Sequence, residues 1–278
     1  MKEYKCEDIL HKKQFEMQFI IRFDFIEDFN FYSPFHWHNH IELIYVIDGK
    51  MDLFVEGKSY ILSGGQLAII NSEEIHSTRL QGNVKYLLLQ VPLSAFTGID
   101  SSMPNYLFNT IFKDKEAEAV GKELLKMKKV LGKEEPGCRI KFISLMYNLF
   151  YMLISKYRTE NKVSVNFDYN KNGIKRISPV ISYLEKNYRR NIQLAEVASG
   201  INVCEEHLCR IFKQYTNMTI NKYLMSLRIA SVYGELRNTD KKISVILEEN
   251  GVRDYKGFMR DFKKTFNQTP QQIRQSQQ

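Results

Sequence analysis

The feature that most constrains this chain is a ten-residue segment near its C-terminus that occurs twice. RIFKQYTNMT at 210–219 and RDFKKTFNQT at 260–269 align with a constant offset of 50 residues. Five positions agree in the two copies: Arg210 and Arg260, Phe212 and Phe262, Lys213 and Lys263, Asn217 and Asn267, Thr219 and Thr269. Such a repeat is what duplication of one supersecondary unit leaves in a sequence.

Each copy lies in the second helix of a predicted helix-turn-helix unit. In the first unit LAEVASG predicts a short helix, Ile201–Val203 the turn, and Cys204 to about Tyr215 the second helix. In the second unit ISVILEEN is the first helix, Gly251 supplies the turn, and Asp254 caps the second helix. In motifs of this kind the second helix enters the major groove of DNA, where its N-terminal half meets base edges.

The net charge of +8 is concentrated in the same part of the chain. Residues 1–170 hold 21 Lys and Arg against 22 Asp and Glu, a balance of −1, whereas residues 171–278 hold 19 against 10, a balance of +9. A basic domain joined to a neutral one suggests a polyanion as its partner. An ordinary solvated surface explains the charge alone equally well.

The first part of the chain changes from strand to helix patterning near Pro104. From about residue 15 to 95, β-branched and aromatic runs such as HIELIYVI, MDLFV and KYLLLQV alternate with turn sequences, which is typical of a β-sandwich or barrel. Residues 105–131 and 138–157 carry apolar positions at helical spacing and predict two helices. Their apolar stripes either pack on the barrel or form a dimer interface.

These elements predict an α+β chain of two domains. Residues 1–158 form a β-barrel with accessory helices, the polar segment 159–173 is a linker, and residues 174–278 form an all-α domain with two helix-turn-helix units.

The C-terminal third resembles the DNA-binding domain of AraC/XylS-type transcription regulators. The resemblance is carried, in the correct order, by EVASGINV, LCRIFKQYTNMTINKYLMSLRIA, LRNTDKKIS, NGV and FMRDFKKTFNQTPQQIR. It implies two helix-turn-helix units joined by a long helix at about 219–237. The two recognition helices are then expected in successive major grooves on one face of double-stranded DNA.

The resemblance also implies which side chains meet DNA. Base-reading positions fall on three residues of each recognition helix: Glu206, Cys209 and Arg210, then Lys256, Gly257 and Arg260. Arginine suits bidentate contact to guanine, glutamate can accept from cytosine N4, and Gly257 can contribute only its backbone or a close approach. Three lysines are better placed for phosphate: Lys213, Lys263 and Lys264. For the two arginines, a salt bridge between helices is the alternative.

The second unit departs from the family pattern at three positions. The family usually has Ala where Leu247 stands, a small apolar residue near Asn250, and Phe where Val252 stands. From Leu247 and Asn250 we expect looser packing and weaker DNA reading by this unit. Asparagine stands where the family commonly has glycine at three positions: Asn202, Asn217 and Asn267. Asparagine is the next-best residue for left-handed backbone.

A histidine-rich segment, FHWHNHIELIYVIDG, opens the predicted barrel. Alternation along one strand places four side chains on one face: His36, His38, His40 and Glu42. The segment resembles the first cupin motif, and Gly65 with His76 resembles the second. In metal-binding cupins, two such histidines, the glutamate and the later histidine hold one divalent ion. The sensor barrels of AraC-type regulators mostly lose the metal and bind sugars or other small molecules.

The leading hypothesis for the barrel is a metal-free pocket for one small-molecule effector, sugar-like or apolar. Its candidate lining residues are Arg22, His36, His38, Glu42 and His76. A bound metal without catalysis, a metal-dependent cupin enzyme fused to a DNA-binding domain, and a purely structural role are the alternatives. Catalysis elsewhere has no support, because no Walker loop, nucleophile elbow or dinucleotide fingerprint occurs.

The resulting prediction is a cytoplasmic, homodimeric transcription regulator without a cofactor, an activator by family tendency. No apolar run approaches the ~20 residues of a membrane span, and the N-terminus lacks the apolar core of a signal peptide. The four cysteines form no CxxC pair and indicate reduced thiols.

Overall fold

The computed structural model describes five stretches of the chain: residues 21–29, 31–133, 135–159, 177–216 and 218–275. A β-rich part comes first, two long helices follow, and the rest is helical. This is the predicted α+β class. The predicted linker, apart from Thr159, lies outside the described residues.

The described part of the β-rich domain is an antiparallel sheet built around two long strands. The strands are β1 (Arg22–Phe29), β2 (Tyr32–His36), β3 (His40–Val55), β4 (Lys58–Ser63), β5 (Leu67–Ile70), β6 (His76–Pro92), β7 (Leu107–Phe108), β8 (Ile111–Phe112) and β9 (Arg158–Thr159). β3 and β6 pair along their length; β1 and β2 flank β6, β4 and β5 flank β3, and β8 extends β5. β7 and β9 form a separate pair.

The sheet bends where the β3–β6 register shifts, between Val46 and Lys50. Gly49 lies at this bend with a φ of 88°, and a Cβ there would come within 2.5 Å of the Asn83 carbonyl oxygen. Only glycine combines this backbone with this close approach. The bend folds the two long strands back into two layers, called the barrel below. Apolar side chains fill its interior, among them Ile44, Val46, Met51, Leu53, Leu62, Ala68, Ile70 and Leu88.

Three helices follow the barrel: α1 (Ser94–Thr97), α2 (Asp114–Leu131) and α3 (Cys138–Tyr157). The outer barrel face packs against the apolar stripes of α2 and α3, including Leu124, Met127, Met146, Leu149, Phe150 and Leu153. Of the two uses predicted for these stripes, packing on the barrel is the one observed. Leu125 on α2 lies outside this contact and is 42% exposed.

The helix predicted from residue 105 is wrong over its first turns. Residues 107–112 form β7 and β8, and α2 begins at Asp114. The buried Asn71 side chain accepts from the Phe108 N–H at 2.9 Å, and its Nδ2 donates to the Phe108 carbonyl at 3.0 Å. Pairing with distant strands therefore overrides the local helical pattern here.

In the described residues from 177 onward, all regular secondary structure is helical. Its helices are α4 (177–187), α5 (Leu194–Ser199), α6 (Glu205–Thr216), α7 (Ile220–Asn238), α8 (Ile243–Glu249), α9 (Tyr255–Phe266) and α10 (Pro270–Gln275). α5–α6 and α8–α9 are the two helix-turn-helix units, and α7 is the predicted long helix between them. No helix in the described residues is long and apolar enough to cross a membrane.

Local backbone chemistry in these units follows the sequence. Asn202 and Asn267 adopt left-handed φ values of 55° and 54°, whereas Asn217 lies outside the described residues. Gly251 has a φ of 68°, and a Cβ there would lie 2.1 Å from the Arg189 carbonyl oxygen. Asp254 caps α9 by accepting from the Gly257 N–H at 2.9 Å.

The repeated phenylalanines lie in two separate cores. Phe212 is fully buried in the first unit and Phe262 in the second. Helix α7 supplies both cores, with its N-terminal half packed in the first and its C-terminal half in the second. A helix buried on several sides needs apolar residues around its circumference, which accounts for the absence of a single apolar stripe on α7.

The looser packing expected at Leu247 and Asn250 is not observed. Leu247 is 6% exposed within the second core. Asn250 is fully buried, and its Nδ2 donates to the Glu235 carboxylate at 2.9 Å and to the Ile246 carbonyl at 2.8 Å. The amide nitrogen of Asn250 is thus held by partners on α7 and α8, at a position where a small apolar residue was expected.

Strand β2 connects the barrel to both helix-turn-helix units. Phe35, 9% exposed, joins the core of the first unit, and the nearby Trp37 packs against it. Tyr32 meets Phe266 of the second unit edge to face, with ring centroids 6.3 Å apart. The Arg237 guanidinium on α7 pairs with the Asp28 carboxylate on β1 at 2.7 Å.

Candidate functional site

The proposed DNA-reading side chains lie on the outer sides of α6 and α9. Glu206, Cys209, Arg210, Lys213, Lys256, Arg260, Lys263 and Lys264 are all exposed with the barrel in place. Their helices turn their opposite faces inward through Phe212 and Phe262. This amphipathic arrangement leaves the N-terminal halves of both helices accessible to a large ligand such as DNA.

The two arginines have contacts only within their own helices among the described residues. The Arg210 guanidinium lies 2.8 Å from Nδ1 of His207, and Arg260 Nε donates to the Asp261 carboxylate at 3.1 Å. The side chain of Arg260 is 75% exposed. Since exposed pairs of this kind contribute little to stability, both guanidinium groups can exchange them for DNA. In the part of the chain that the structure describes, neither arginine forms the salt bridge between helices that was the alternative.

Gly257 differs from the other proposed DNA contacts because it is buried. Its N–H is already used by the Asp254 cap, and a Cβ at this position would lie 2.1 Å from an Asp254 carboxylate oxygen. The structure therefore provides a local reason for glycine here: close approach of the capping side chain.

Four of the five proposed effector residues converge at one end of the barrel interior. One ligand atom from each of His36, His38, Glu42 and His76 lies within 4.8 Å of the other three. His38 Nε2 is 2.9 Å from Glu42 Oε2, and His76 Nε2 is 3.6 Å from the same oxygen. Glu42 and His76 are buried. The four side chains thus form a compact cluster, called the His3Glu cluster below.

The prediction that one strand carries these histidines is wrong. The three histidines of the segment do not alternate along a single strand: His36 ends β2, His38 lies in the connection, and His40 begins β3. A turn between the strands brings His38 next to Glu42, while His40 stays outside the ligand set. His40 still packs beside His38, with ring centroids 5.2 Å apart.

Backbone carbonyls orient two of the imidazole rings. Nδ1 of His36 lies 2.8 Å from the Pro34 carbonyl, and Nδ1 of His76 lies 2.9 Å from the Glu74 carbonyl. A carbonyl can only accept, so each Nδ1 carries the proton when the ring is neutral, and each Nε2 then offers a lone pair.

Gln90 on β6 is part of this site and was missed from the sequence. Its Nε2 donates to Glu42 Oε2 at 2.6 Å, which orients the carboxylate. Glu42 and Gln90 are register partners in the β3–β6 pair, but they are 48 residues apart in the chain. A glutamine in a strand-like run carries no local signal for such a contact.

Arg22 is the proposed effector residue outside the cluster. It pairs in register with Gln90 across β1 and β6, and its Nε donates to the Asp24 carboxylate at 2.6 Å. Its side chain is 44% exposed. Arg22 therefore lies on the same sheet face but is engaged by its own strand neighbour.

The charges of the cluster are set by burial and by its own members. Burial opposes ionisation of Glu42, but the neighbouring His38 and His76 outweigh it and hold the pKa of Glu42 well below its usual range. Burial, reinforced by His76, lowers the pKa of His36 to about 4. Burial also lowers the pKa of His76, and Glu42 more than reverses that effect. At neutral pH the site thus holds a carboxylate and at least one neutral imidazole.

Comparisons with known proteins agree with this two-part architecture. A model of the AraC-like ligand binding domain matches residues 25–150, and a helix-turn-helix domain model matches residues 197–276. The melibiose operon regulatory protein of Escherichia coli (strain K12) is 22% identical over 256 residues, which cover 87% of this chain and 84% of that protein. The HTH-type transcriptional activator RhaS of Klebsiella pneumoniae (strain 342) is 22% identical over 252 residues, 87% of each chain.

Among solved structures, ToxT from Vibrio cholerae has a similar fold. It superposes with a TM-score of 0.52 at 14% identity, covering 90% of this chain and 96% of ToxT. By their names, the two curated relatives are an operon regulatory protein and a transcriptional activator.

Proposed function

The chain belongs to the AraC family of transcription regulators, with a ligand-binding barrel and a helix-turn-helix domain, and from this we propose how it reads its promoter. Both helix-turn-helix units contact one duplex, with α6 and α9 in successive major grooves. An effector in the barrel shifts the arrangement of the two domains and with it DNA affinity. The alternative of a metal-dependent cupin enzyme has no support, since the relatives are regulators.

One observation carries the DNA-binding proposal: both recognition helices expose cationic side chains while the barrel, through β2, is docked on α7 and on both helix-turn-helix units. We assign Arg210 and Arg260 to guanine, Glu206 to cytosine N4, and Cys209 and Lys256 to neighbouring base edges. Lys213, Lys263 and Lys264 contact phosphate and contribute affinity without sequence preference. Gly257 supports α9 through the Asp254 cap.

The proposed assembly is a homodimer in the cytoplasm that acts as an activator. Because the main stripes of α2 and α3 are occupied by the barrel, a dimer contact falls on the side of α3 that remains exposed. Ile140 and Tyr151 are 78% and 70% exposed, and their spacing places them on one side of the helix.

The test is enrichment of a randomised duplex library by the full chain at two salt concentrations. We expect a motif with two elements about one helical turn (10–10.5 bp) apart, one for each recognition helix. The double variant Arg210→Ala and Arg260→Ala serves as a control and should bind without enriching the motif. Salt-sensitive binding by the unaltered chain with no enriched motif would reduce the domain to a non-specific polyanion binder and overturn sequence-specific reading.

A further inference from the structure

We propose that the His3Glu cluster binds one divalent transition-metal ion and that this ion is the effector that controls the position of β2. The metal site stands on geometry alone, whereas its regulatory role rests on the proposed function. The chemistry of the donor set, three imidazoles and one carboxylate, suits zinc, manganese or iron rather than magnesium or calcium.

The distances within the cluster suit a single ion. Ligand atoms around a tetrahedral zinc ion lie about 3.3 Å apart, because each is 2.0–2.1 Å from the metal. The four candidate atoms already lie within 4.8 Å of one another. Bringing the four ligand atoms to the spacing around a zinc ion therefore requires movements of about 1–1.5 Å, which side-chain torsions can supply.

The hydrogen-bonding pattern presents lone pairs to the centre of the cluster. The Pro34 and Glu74 carbonyls hold Nδ1 of His36 and His76, so both rings offer Nε2 as the free ligand atom. Metal-bound histidines are held in the same way, with the other ring nitrogen bonded to a carbonyl or carboxylate.

His76 supplies an independent indication for a ligand at this site. Its side chain is 0% exposed, and among the described residues its Nε2 has no hydrogen-bond partner. The nearest carboxylate oxygen, on Glu42, is 3.6 Å away, which is too far for a hydrogen bond. A buried polar atom without a partner is costly, so an ion that takes up this lone pair would remove the cost.

Apolar side chains fill the barrel interior behind the cluster. Behind Glu42 the same strand face continues with Ile44 and Val46, which are buried among the other interior side chains. Two pockets on the surface, of about 660 and 440 Å³, are lined by other residues, around Tyr60 and Arg189 respectively. Neither includes a member of the cluster. A sugar-sized ligand needs a cavity of roughly 300 Å³ or more, whereas an ion needs only its ligands.

The cluster is mechanically joined to the DNA-binding domain through β2. His36 is the last residue of β2, and its ring lies 4.2 Å from the His76 ring between centroids. The preceding residue, Phe35, is buried in the core of the first helix-turn-helix unit, and Tyr32 contacts the second. An ion that bonds His36 to β3 and β6 therefore fixes the strand on which both units dock. Metal binding stabilises this docked arrangement.

Metal content and affinity test the site first. The full chain is purified without a chelator or a histidine tag, its metal content is measured by mass spectrometry, and the chelated protein is titrated with Zn²⁺, Mn²⁺ and Co²⁺. We expect one ion per chain and visible d–d absorbance with Co²⁺. Glu42→Gln and His76→Gln should abolish stoichiometric binding, and Gln90→Ala should weaken it roughly 10–100-fold through loss of carboxylate orientation.

His40→Gln is the matched control, since His40 packs beside His38 but lies outside the ligand set. It should keep one ion per chain. Circular dichroism and thermal melting show which variants are folded. Absence of a bound ion in the folded wild type, or loss of the ion in folded His40→Gln, would overturn the assigned site.

Hydrogen exchange and DNA binding test the regulatory role. Adding Zn²⁺ to the chelated protein should slow amide exchange in β2 and α7 and change DNA affinity, with no such response in Glu42→Gln. Stoichiometric metal binding that changes neither exchange nor affinity would leave the site intact and overturn its role as effector. Loss of sequence-specific DNA binding under all conditions, with metal binding and the exchange response intact, would contradict the proposed function and not the metal site.

Discussion

Arg210 and Lys213 lie three residues apart on α6 and both are exposed, and we propose different tasks for them. A guanidinium offers a planar fork of donors that matches the major-groove edge of guanine, whereas an ammonium group is a point charge that serves a phosphate equally well in any sequence. The same contrast recurs between Arg260 and Lys263 on α9.

We predict that Arg210→Ala weakens binding to the specific site by roughly 1–3 kcal/mol and relaxes base preference at one position. Lys213→Ala should weaken binding to all sequences alike and reduce the slope of log K against log salt by about 1. Titration of each variant against the selected duplex and a scrambled duplex at several salt concentrations separates the two effects. Equal losses on both duplexes for Arg210→Ala would make Arg210 a phosphate contact.

At the scale of elements, helix α7 packs into the hydrophobic cores of both helix-turn-helix units. Its neighbours on several sides require side chains of defined size, but Gly234 is an exception: nothing lies within 4 Å of a Cβ built there. Gly251, after α8, is the opposite case, with a left-handed φ and the Arg189 carbonyl directly in the way.

Gly234→Ala should therefore raise the free energy of unfolding by roughly 0.5–1 kcal/mol, since alanine restricts the unfolded chain and favours a helix interior. Gly251→Ala should lower it by more than about 1 kcal/mol, because an L side chain is strained at this φ and the Cβ would collide with backbone. Urea unfolding of the two variants beside the wild type measures both. We expect the two variants to change the free energy of unfolding in opposite directions. An unchanged free energy of unfolding for Gly251→Ala would contradict the turn geometry.

At the scale of the whole molecule, the domains share hydrophobic cores across β2. The core of the first helix-turn-helix unit includes Phe35 and Ile75 from the barrel, so its stability depends on both domains. The second unit receives a smaller contribution from the barrel, through the partly buried Tyr32.

Phe35→Ala should accelerate amide hydrogen exchange in α6 more than in α9, because it removes a largely buried ring from the first core. Removing a buried phenylalanine ring from a core lowers the free energy of unfolding by roughly 3–5 kcal/mol. Leu62→Ala is the control: Leu62 is fully buried inside the barrel, away from both units. It should accelerate exchange in the barrel strands and leave α6 less affected. Equal acceleration of α6 and α9 by Phe35→Ala would mean that the docked arrangement does not support the first unit separately.

The sequence by itself determined the features that depend on a few neighbouring residues. The repeat predicted both recognition helices, Asn202 and Gly251 predicted left-handed turns, and Asp254 predicted the cap of α9. Each follows from backbone sterics or from a hydrogen bond spanning three residues, so no distant partner is needed. The histidine segment and His76 likewise supplied all four members of the His3Glu cluster, through their resemblance to cupin motifs.

Only the tertiary structure decided what depends on distant partners. Residues 107–112 pair as strands instead of forming the expected helix. The apolar stripes of α2 and α3 pack on the barrel and not in a dimer interface. Hydrogen bonds to α7 and α8 hold the buried Asn250 amide nitrogen. The register of β3 with β6 brought Gln90 to Glu42, and the docking of β2 joined the cluster to the DNA-binding domain. Burial and pairing of this kind are set by residues tens of positions apart, which local pattern does not contain.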